Sequence, residues 1–366
     1  MKPMISLSLC MIVKNEEETL NRCLDSVKNI VDEIIIVDTG STDRTVEIAK
    51  QYGCNIYHFQ WVDDFSAARN FAFSHAQNEY ILTMDADDVF SEAEIGKLEE
   101  LKQNLPTTID AVTMKYLAGF DESGNVLVSL RQVRIVKREK QFKWHGAVHE
   151  YLEVHGNLLH SDIAITHKRM HKNSDRNLKI FEQRQKNGST FTPRDLYYYA
   201  NELYDHQQYK KAIKFYHKFL QTEKRWIEDE IQAHGRIAEC YAEMGNMDYA
   251  INHALHALKF GPPRAESCCQ LGFFFLKINR PENAVHWFQF ATQLPPIDNG
   301  GITNHACSTW IPHLQLCICY AQLGDYQKAF DHIEIAGTFC PKHELILKNK
   351  EILDKYVKNP KTEHTL

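Results

Sequence analysis

The chain has 366 residues, 43% of them apolar, with 42 basic against 48 acidic side chains and a net charge of −6. That length holds two or three domains with cores of ordinary size, and the mild negative charge argues against a general nucleic-acid binder. No apolar run approaches the roughly 20 residues of a membrane span and the N-terminus lacks the layout of a signal peptide, so a cytoplasmic protein with no integral membrane segment is expected. The ten cysteines show no Cys-x-x-Cys spacing, and Cys10, Cys240 and Cys317 sit among apolar neighbours. Neither a disulfide framework nor a zinc site is expected of them.

Ser6 to Val13 reads as a buried strand. Asn15 is a candidate N-cap for a helix that opens at Glu16-Glu17-Glu18 and carries Leu20, Leu24 and Val27 at helical spacing. The plan then repeats, with a strand from Glu33 to Val37, a turn over Asp38–Asp43 and a helix from Thr45 to Tyr52. Asn55 to His58 is a short third strand, Ser66 to Ala76 a helix, and Tyr80-Ile81-Leu82-Thr83 a fourth strand. This alternation predicts an α/β domain with a parallel sheet, whose strand ends converge on one edge.

That edge is rich in polar groups. Tyr80 to Thr83 empties into Met84-Asp85-Ala86-Asp87-Asp88, and alternate residues of an extended segment point the same way, so Asp85 and Asp87 can face one ligand. Hard carboxylate oxygens suit Mg²⁺ or Mn²⁺, which can bridge a diphosphate; an acidic turn before a helix cap at Ser91 is the alternative. Asp38 ends its strand where a carboxylate can accept hydrogen bonds from a base or ribose, and Gly40 permits close approach. Arg69, in Asp64-Phe65-Ser66-Ala67-Ala68-Arg69-Asn70, is expected to brace Asp64 or the acidic cluster, or to touch a phosphate.

Four stretches together, Cys10–Glu16, Val37–Asp43, Asp64–Asn70 and Met84–Asp88, resemble the nucleotide-sugar half of family 2 glycosyltransferases of the GT-A fold. The resemblance implies an inverting, UDP-sugar-dependent enzyme in which Val13 and Asn15 line the nucleotide pocket and Asp38 holds the uridine. It further implies that Asp85 approaches the ribose or the metal and that Asp87 ligates Mn²⁺ or Mg²⁺.

Asp110 to Tyr116 and Val126 to Val136 read as strands of a hairpin around Asp121–Asn125. The run Phe142-Lys143-Trp144-His145-Gly146-Ala147-Val148-His149-Glu150 suits a loop close to a ligand. An inverting transfer needs a group to take the acceptor's proton; Glu150 is the first candidate base and His149 the second. The competing reading pairs Glu150 with Arg131 or Arg134. Trp144 is a candidate to stack on the sugar or acceptor, and Arg69 and Arg131 count with it among candidate donor contacts. This segment is similar to that of bacterial family 2 enzymes with a helical tail, including peptide S-glycosyltransferases of sublancin-type glycopeptides. Their next strand ends in a His, matched here by His167, which by that resemblance completes the metal's coordination. Met170-His171 departs from the family pattern and leaves the sugar preference open.

From Arg194 onward only helical patterns remain. Ala250 and Ala284 are 34 residues apart, Ala212 and Ala329 mark further copies, and Pro295–Gly301 is an inserted loop. This predicts tetratricopeptide-like helical repeats, suited to recruiting a peptide or protein acceptor or to forming a homodimer. The expected domains are a GT-A transferase over 1–190, divided near 115 into nucleotide-sugar and acceptor halves, repeats over 191–358 and a frayed tail over 359–366. A glycan or lipid-linked acceptor, and a binding protein with an inactive transferase half, are the competing readings.

Overall fold

The computed structural model describes residues 4–168, 175–297 and 300–358, so Met170-His171, Asp298-Asn299 and the tail 359–366 lie outside the described residues. The chain forms two compact units, residues 1–118 with 130–190, and residues 119–129 with 191–366.

In the first unit, strand alternation sorts side chains onto two covered faces. Leu7, Leu9, Met11 and Val13 of β1 (Leu7–Val13), all at most 3% exposed, face one side with Ile36 of β2 (Glu33–Asp38). Cys10, Ile35 and Val37 face the other. The first face packs on α1 (Leu20–Asp25), α2 (Thr45–Gln51) and, further along, α4 (Glu92–Asn104). The second face packs on α3 (Phe65–Ser74), helped by the ribbon of β8 (Lys143–His145) and β9 (Tyr151–Glu153). A sheet buried on both faces needs apolar residues at every position, which is why these strands read as continuous apolar runs.

The remaining strands are β3 (Asn55–His58), β4 (Tyr80–Thr83), β5 (Asp88–Val89), β6 (Ala111–Leu117), β7 (Val128–Lys137) and β10 (Leu158–His167). They lie in the order β3-β2-β1-β4-β7-β6-β10-β5. The first four run parallel; β7 is antiparallel to β4, and β5 to β10. The architecture is therefore Rossmann-like at one end and mixed at the other. α5 (Arg176–Lys186) completes the unit.

Asn15 is not a helix cap. α1 begins at Leu20 behind Thr19, and Asn15 stands in the left-handed region at φ 56°. An Asn tolerates that conformation better than most residues.

Among the described residues the second unit is mostly helical; its strand residues include β11 (Thr303–Asn304), which pairs with Val128 and Ser129 at the start of β7. Its helices are α6 (Pro193–Asp205), α7 (Tyr209–Leu220), α8 (Ile227–Glu243), α9 (Met247–Ala257), α10 (Ala265–Lys277), α11 (Pro281–Ala291), α12 (Trp310–Gln322), α13 (Tyr326–Phe339) and α14 (Glu344–Lys358). They pack as sequential hairpins α6–α7, α8–α9, α10–α11 and α12–α13. Each first helix ends on a left-handed residue, at Gln207, Gly245, Asn279 and Gly324 (φ 57°, 79°, 57° and 79°). In every case the next N–H donates back to the carbonyl five residues earlier, as in Gln208 to Leu203 and Asn246 to Tyr241, satisfying helix-end carbonyls. Five residues beyond each left-handed position lies a fully buried alanine, Ala212, Ala250, Ala284 or Ala329, where the second helix meets the first. The repeat is thus set by a turn and a small residue at fixed separation. No described helix is long and apolar enough to cross a membrane.

Close packing of this kind makes a sharp stability contrast. A Cβ on Gly272 would fall 2.6 Å from the fully buried Phe288 ring, whereas one on Gly235 meets only the Gln270 side chain at 3.5 Å. Gly272→Ala should therefore lower the free energy of unfolding by about 1–3 kcal/mol through overpacking. Gly235→Ala should instead raise it by up to about 1 kcal/mol through helix propensity. Urea denaturation of the two variants checks both signs.

Candidate active site

The C-terminal edge of the parallel strands is stitched together before any ligand is considered. Asp38 is 4% exposed; its carboxylate accepts from the amides of Ser41 (3.0 Å) and Gly40 (3.3 Å), and His58 Nδ1 lies 3.3 Å away. The Asn15 amide donates to Ser41 Oγ (3.0 Å) and its side-chain oxygen accepts from the Thr42 amide (2.8 Å). This joins the ends of β1 and β2. Val13 is buried in the core below, and its carbonyl accepts from Thr39.

The turn after β4 is organised by the third carboxylate, Asp88, which sequence reasoning did not single out. Asp88 is fully buried, accepts from the Asp85 amide (3.0 Å) and pairs with Arg134 Nη1 (3.1 Å). Arg134 is itself buried on β7 and lies over the Tyr116 ring at 4.7 Å. The signal was present in Val133-Arg134-Ile135-Val136: a charge in an apolar strand needs a buried partner. Burial, reinforced by Asp88 and Asp85, pushes the Tyr116 phenol well up.

Pairing of β5 with β10 places His167 opposite Asp88, and the Lys168 amide donates to the Asp87 carbonyl (2.9 Å). His167 Nδ1 is thereby 3.3 Å from Asp87 and 3.4 Å from Asp88. One ligand atom from each of these three residues lies within 4.8 Å of the other two. Burial opposes protonation of His167, but hydrogen bonds and attraction from both carboxylates outweigh it and push the imidazole up to about 9.

Asp85 turns the other way. Its Oδ1 accepts from Arg69 Nη2 (2.7 Å), while Arg69 Nε donates to Glu150 Oε1 (2.6 Å). Burial raises the Asp85 carboxyl, but Arg69 and Arg134 overcome this and hold it at about 2. The guanidinium also lies 4.9 Å from the Trp144 ring, which packs edge-on against Phe73. Asn70 locks the Trp144 backbone with two 2.9 Å hydrogen bonds. Asp64 is not the partner of Arg69; it caps α3 by accepting from the Ala67 amide. The Glu150 partner is Arg69, not Arg131 or Arg134, because Arg131 donates to the Ser161 carbonyl (2.7 Å) and Arg134 is committed to Asp88. His149 stands next to Glu150 in left-handed backbone at φ 51°.

Asp87 and Asp88 therefore answer to different forces. Asp88→Asn removes the counter-charge of a buried guanidinium and should cost about 3–5 kcal/mol of folding stability. Asp87→Asn, with its carboxylate 18% exposed, should cost clearly less, since it removes only part of the attraction that holds the protonated His167. Paired chemical-denaturation curves without added metal read the difference.

Most of this edge lies in a stretch that resembles known proteins. Residues 8–152 match the family model described as glycosyl transferase family 2. A TPR repeat-containing protein of Synechococcus elongatus is 40% identical over 150 residues, covering 41% of this chain and 36% of that protein. The SPbeta prophage-derived glycosyltransferase SunS of Bacillus subtilis is 29% identical over 231 residues, covering 59% of this chain and 53% of that protein. An uncharacterized glycosyltransferase of Rickettsia typhi is 42% identical over 89 residues, 24% of this chain and 30% of that one. The chain thus spans about half or less of the length of these curated relatives. Among solved structures, YrrB, a TPR protein with an unusual peptide-binding site, aligns at 19% identity over 50% of this chain and 84% of that one, with a TM-score of 0.37. The stretch that matches the glycosyl transferase family 2 model, residues 8–152, carries Asp38, Arg69, the Asp85–Asp88 turn and Glu150.

Proposed function

We propose that the chain is an inverting, metal-dependent glycosyltransferase that moves a hexose or N-acetylhexosamine from a UDP-sugar to a Cys, Ser or Thr side chain of a peptide or protein. The observation that carries this reading is the meeting of Asp87, Asp88 and His167 at the C-terminal edge of a family 2 domain. A carboxylate and an imidazole of this cluster suit a divalent ion, Mn²⁺ better than Mg²⁺ because of the nitrogen donor. Asp87 and His167 would hold it, since Asp88 already serves Arg134. When bound, such an ion neutralises charge on a departing diphosphate.

The chain's own residues divide the remaining work. Asp38 would accept a hydrogen bond from uracil or ribose at the end of β2, with the Asn15 backbone shaping the same pocket. Glu150, held by Arg69, would take the proton of the acceptor hydroxyl or thiol. The paired helices of the second unit would bring the peptide, raising its effective concentration.

A panel of UDP-sugars assayed with Mn²⁺ and Mg²⁺ tests the class directly. One UDP-sugar should be hydrolysed slowly with Mn²⁺ and lose turnover in Asp87→Asn; absence of UDP binding under all conditions would reject the reading. His167→Ala should weaken Mn²⁺ about 10-fold to 100-fold. Because ligation requires the neutral imidazole, Mn²⁺ affinity should rise by at most about tenfold per pH unit and level off above about pH 9. Without metal the sign reverses: the raised value stabilises the fold fully below the ordinary histidine range near 6.5, and this contribution is lost as pH rises through about 9.

Glu150→Gln separates the nucleophiles. With a Ser or Thr acceptor, turnover should fall roughly 100-fold to 10,000-fold while UDP-sugar still binds. A Cys acceptor, partly thiolate already, should suffer much less. Steady-state kinetics on matched peptides give both numbers, and equal losses of donor affinity would instead assign Glu150 a purely structural role.

A further inference from the structure

The helical unit holds a second set of metal-type donors. His217 on α7, Glu230 and His234 on α8, and His253 and His256 on α9 line one cavity of ≈ 460 Å³ together with Phe260. Sequence spacing explains the convergence. Glu230 and His234 are four apart on one helix, and His253 and His256 three apart on the next, so each pair shares a helix face. The three helices pack consecutively.

Two features distinguish this cluster from ordinary core histidines. His234 is only 6% exposed, yet its Nδ1 is buried without a hydrogen-bond partner, as is that of His253. Buried polar atoms are nearly always paired, and an orphan on a side chain that lines a cavity asks for a ligand. Three of the six ring pairs also stand near one another, with centroids 4.6 Å apart for His234–His256 and 5.8 Å for both His234–His253 and His217–His253. Imidazoles whose nitrogens lie about 2.0–2.1 Å from one tetrahedral ion hold their ring centres roughly 5 Å apart. His234 and His253 are stacked with 26° between their planes, and no three of the four histidines bring ligand nitrogens within 4.8 Å of one another, so coordination requires the rings to turn within the cavity. Glu230 is occupied by Arg225 Nη2 at 2.8 Å, which leaves the imidazoles as the donor set.

We propose that this cavity is a binding site for a divalent transition metal of the zinc class, held by His234, His253 and His256 with His217 as the fourth donor. Nitrogen donors separate it from the oxygen-rich Asp87–Asp88–His167 cluster, since imidazole suits Zn²⁺, Co²⁺, Ni²⁺ and Cu²⁺. The cysteines play no part, so the absence of Cys-x-x-Cys spacing does not bear on it. Facing helices commonly build metal sites in this way. Because α7 belongs to the first hairpin and α8 and α9 to the second, a bound ion clamps one repeat to the next and stabilises both.

The test uses the full chain, stripped with a chelator and then saturated with Mn²⁺. Calorimetric titration should show one additional Zn²⁺ per chain, and Co²⁺ should give the visible bands of a tetrahedral nitrogen site without thiolate charge-transfer absorption. The double variant His253→Gln/His256→Gln should bind that Zn²⁺ at least about 100-fold more weakly. Its far-UV circular dichroism should match wild type, and its melting temperature, unlike that of wild type, should not rise with Zn²⁺. Equal zinc uptake by wild type and variant, or a cobalt spectrum that is octahedral or thiolate-dominated, overturns the proposal. Should the double variant fail to fold, the wild-type cobalt spectrum and the single His217→Gln variant decide the matter: a tetrahedral spectrum perturbed by that substitution supports the site, and an unperturbed one overturns it.

Discussion

The buried ion pair between Asp88 and Arg134 is the constraint on which the candidate site depends. Both charges are removed from water, so neither tolerates loss of the other, and Asp88 must point into the sheet. With Asp88 fixed inward, its second role follows: it accepts the Asp85 amide and closes the turn over Asp85–Asp88. The turn then has only one way to present its remaining carboxylates, Asp85 toward Arg69 and Asp87 toward His167. Pairing of β5 with β10 carries the imidazole to that position. A two-strand ladder of two residue pairs would be weak alone; here it is anchored because Asp88 is simultaneously a ladder residue and half of the ion pair.

The helical unit obeys a different economy. Its hairpins differ in sequence and in spacing, yet each keeps a left-handed residue followed five positions later by a buried alanine. Glycine fills the left-handed position in two hairpins, and Gln207 and Asn279 fill it in the others. A non-glycine residue there costs roughly 1–2 kcal/mol. That the geometry persists regardless shows that the back-donated hydrogen bonds and the close helix contact outweigh the strain. The stretched interval before Ala329 leaves the hairpin itself unchanged, because the extra residues fall between hairpins rather than within one.

What was legible in the sequence follows from how far apart the interacting residues lie. The strands, the parallel order and the helical repeats rest on local periodicity, and they match the structure to within a residue or two at most ends. The carboxylate turn was legible because strand and acids are contiguous. His167 was reached through resemblance rather than pattern, since nothing local to Ile163-Ala164-Ile165-Thr166-His167 indicates that β5 lies beside it. Asp88 was passed over because alternation puts Asp85 and Asp87 on one face and treats the next residue as the uninteresting one; that inward face is where the ion pair sits. Asn15 was misread because an Asn before three glutamates looks like a cap, whereas its side chain is claimed by Thr42, 27 residues away. The histidines of the helical unit escaped notice for the same reason, being scattered over three helices.

Arg69 shows why such long-range choices cannot be guessed from composition. Two carboxylates from segments 65 residues apart in sequence, Asp85 and Glu150, converge on one guanidinium that is 12% exposed. Left alone they would repel each other, and either would rather be solvated than share a half-dry edge. The planar fork of Arg satisfies both at once, through Nη2 and Nε, where the point charge of Lys would serve one at a time. The arrangement leaves one net negative charge on the trio, so the site is poised toward cations rather than neutral. It also means that the Glu150 side chain is tied to a helix residue whose other arm grips the Asp85–Asp88 turn. Any movement of that turn is felt at Glu150 through a single side chain, and the electrostatics of the two halves of the edge are therefore those of one connected group.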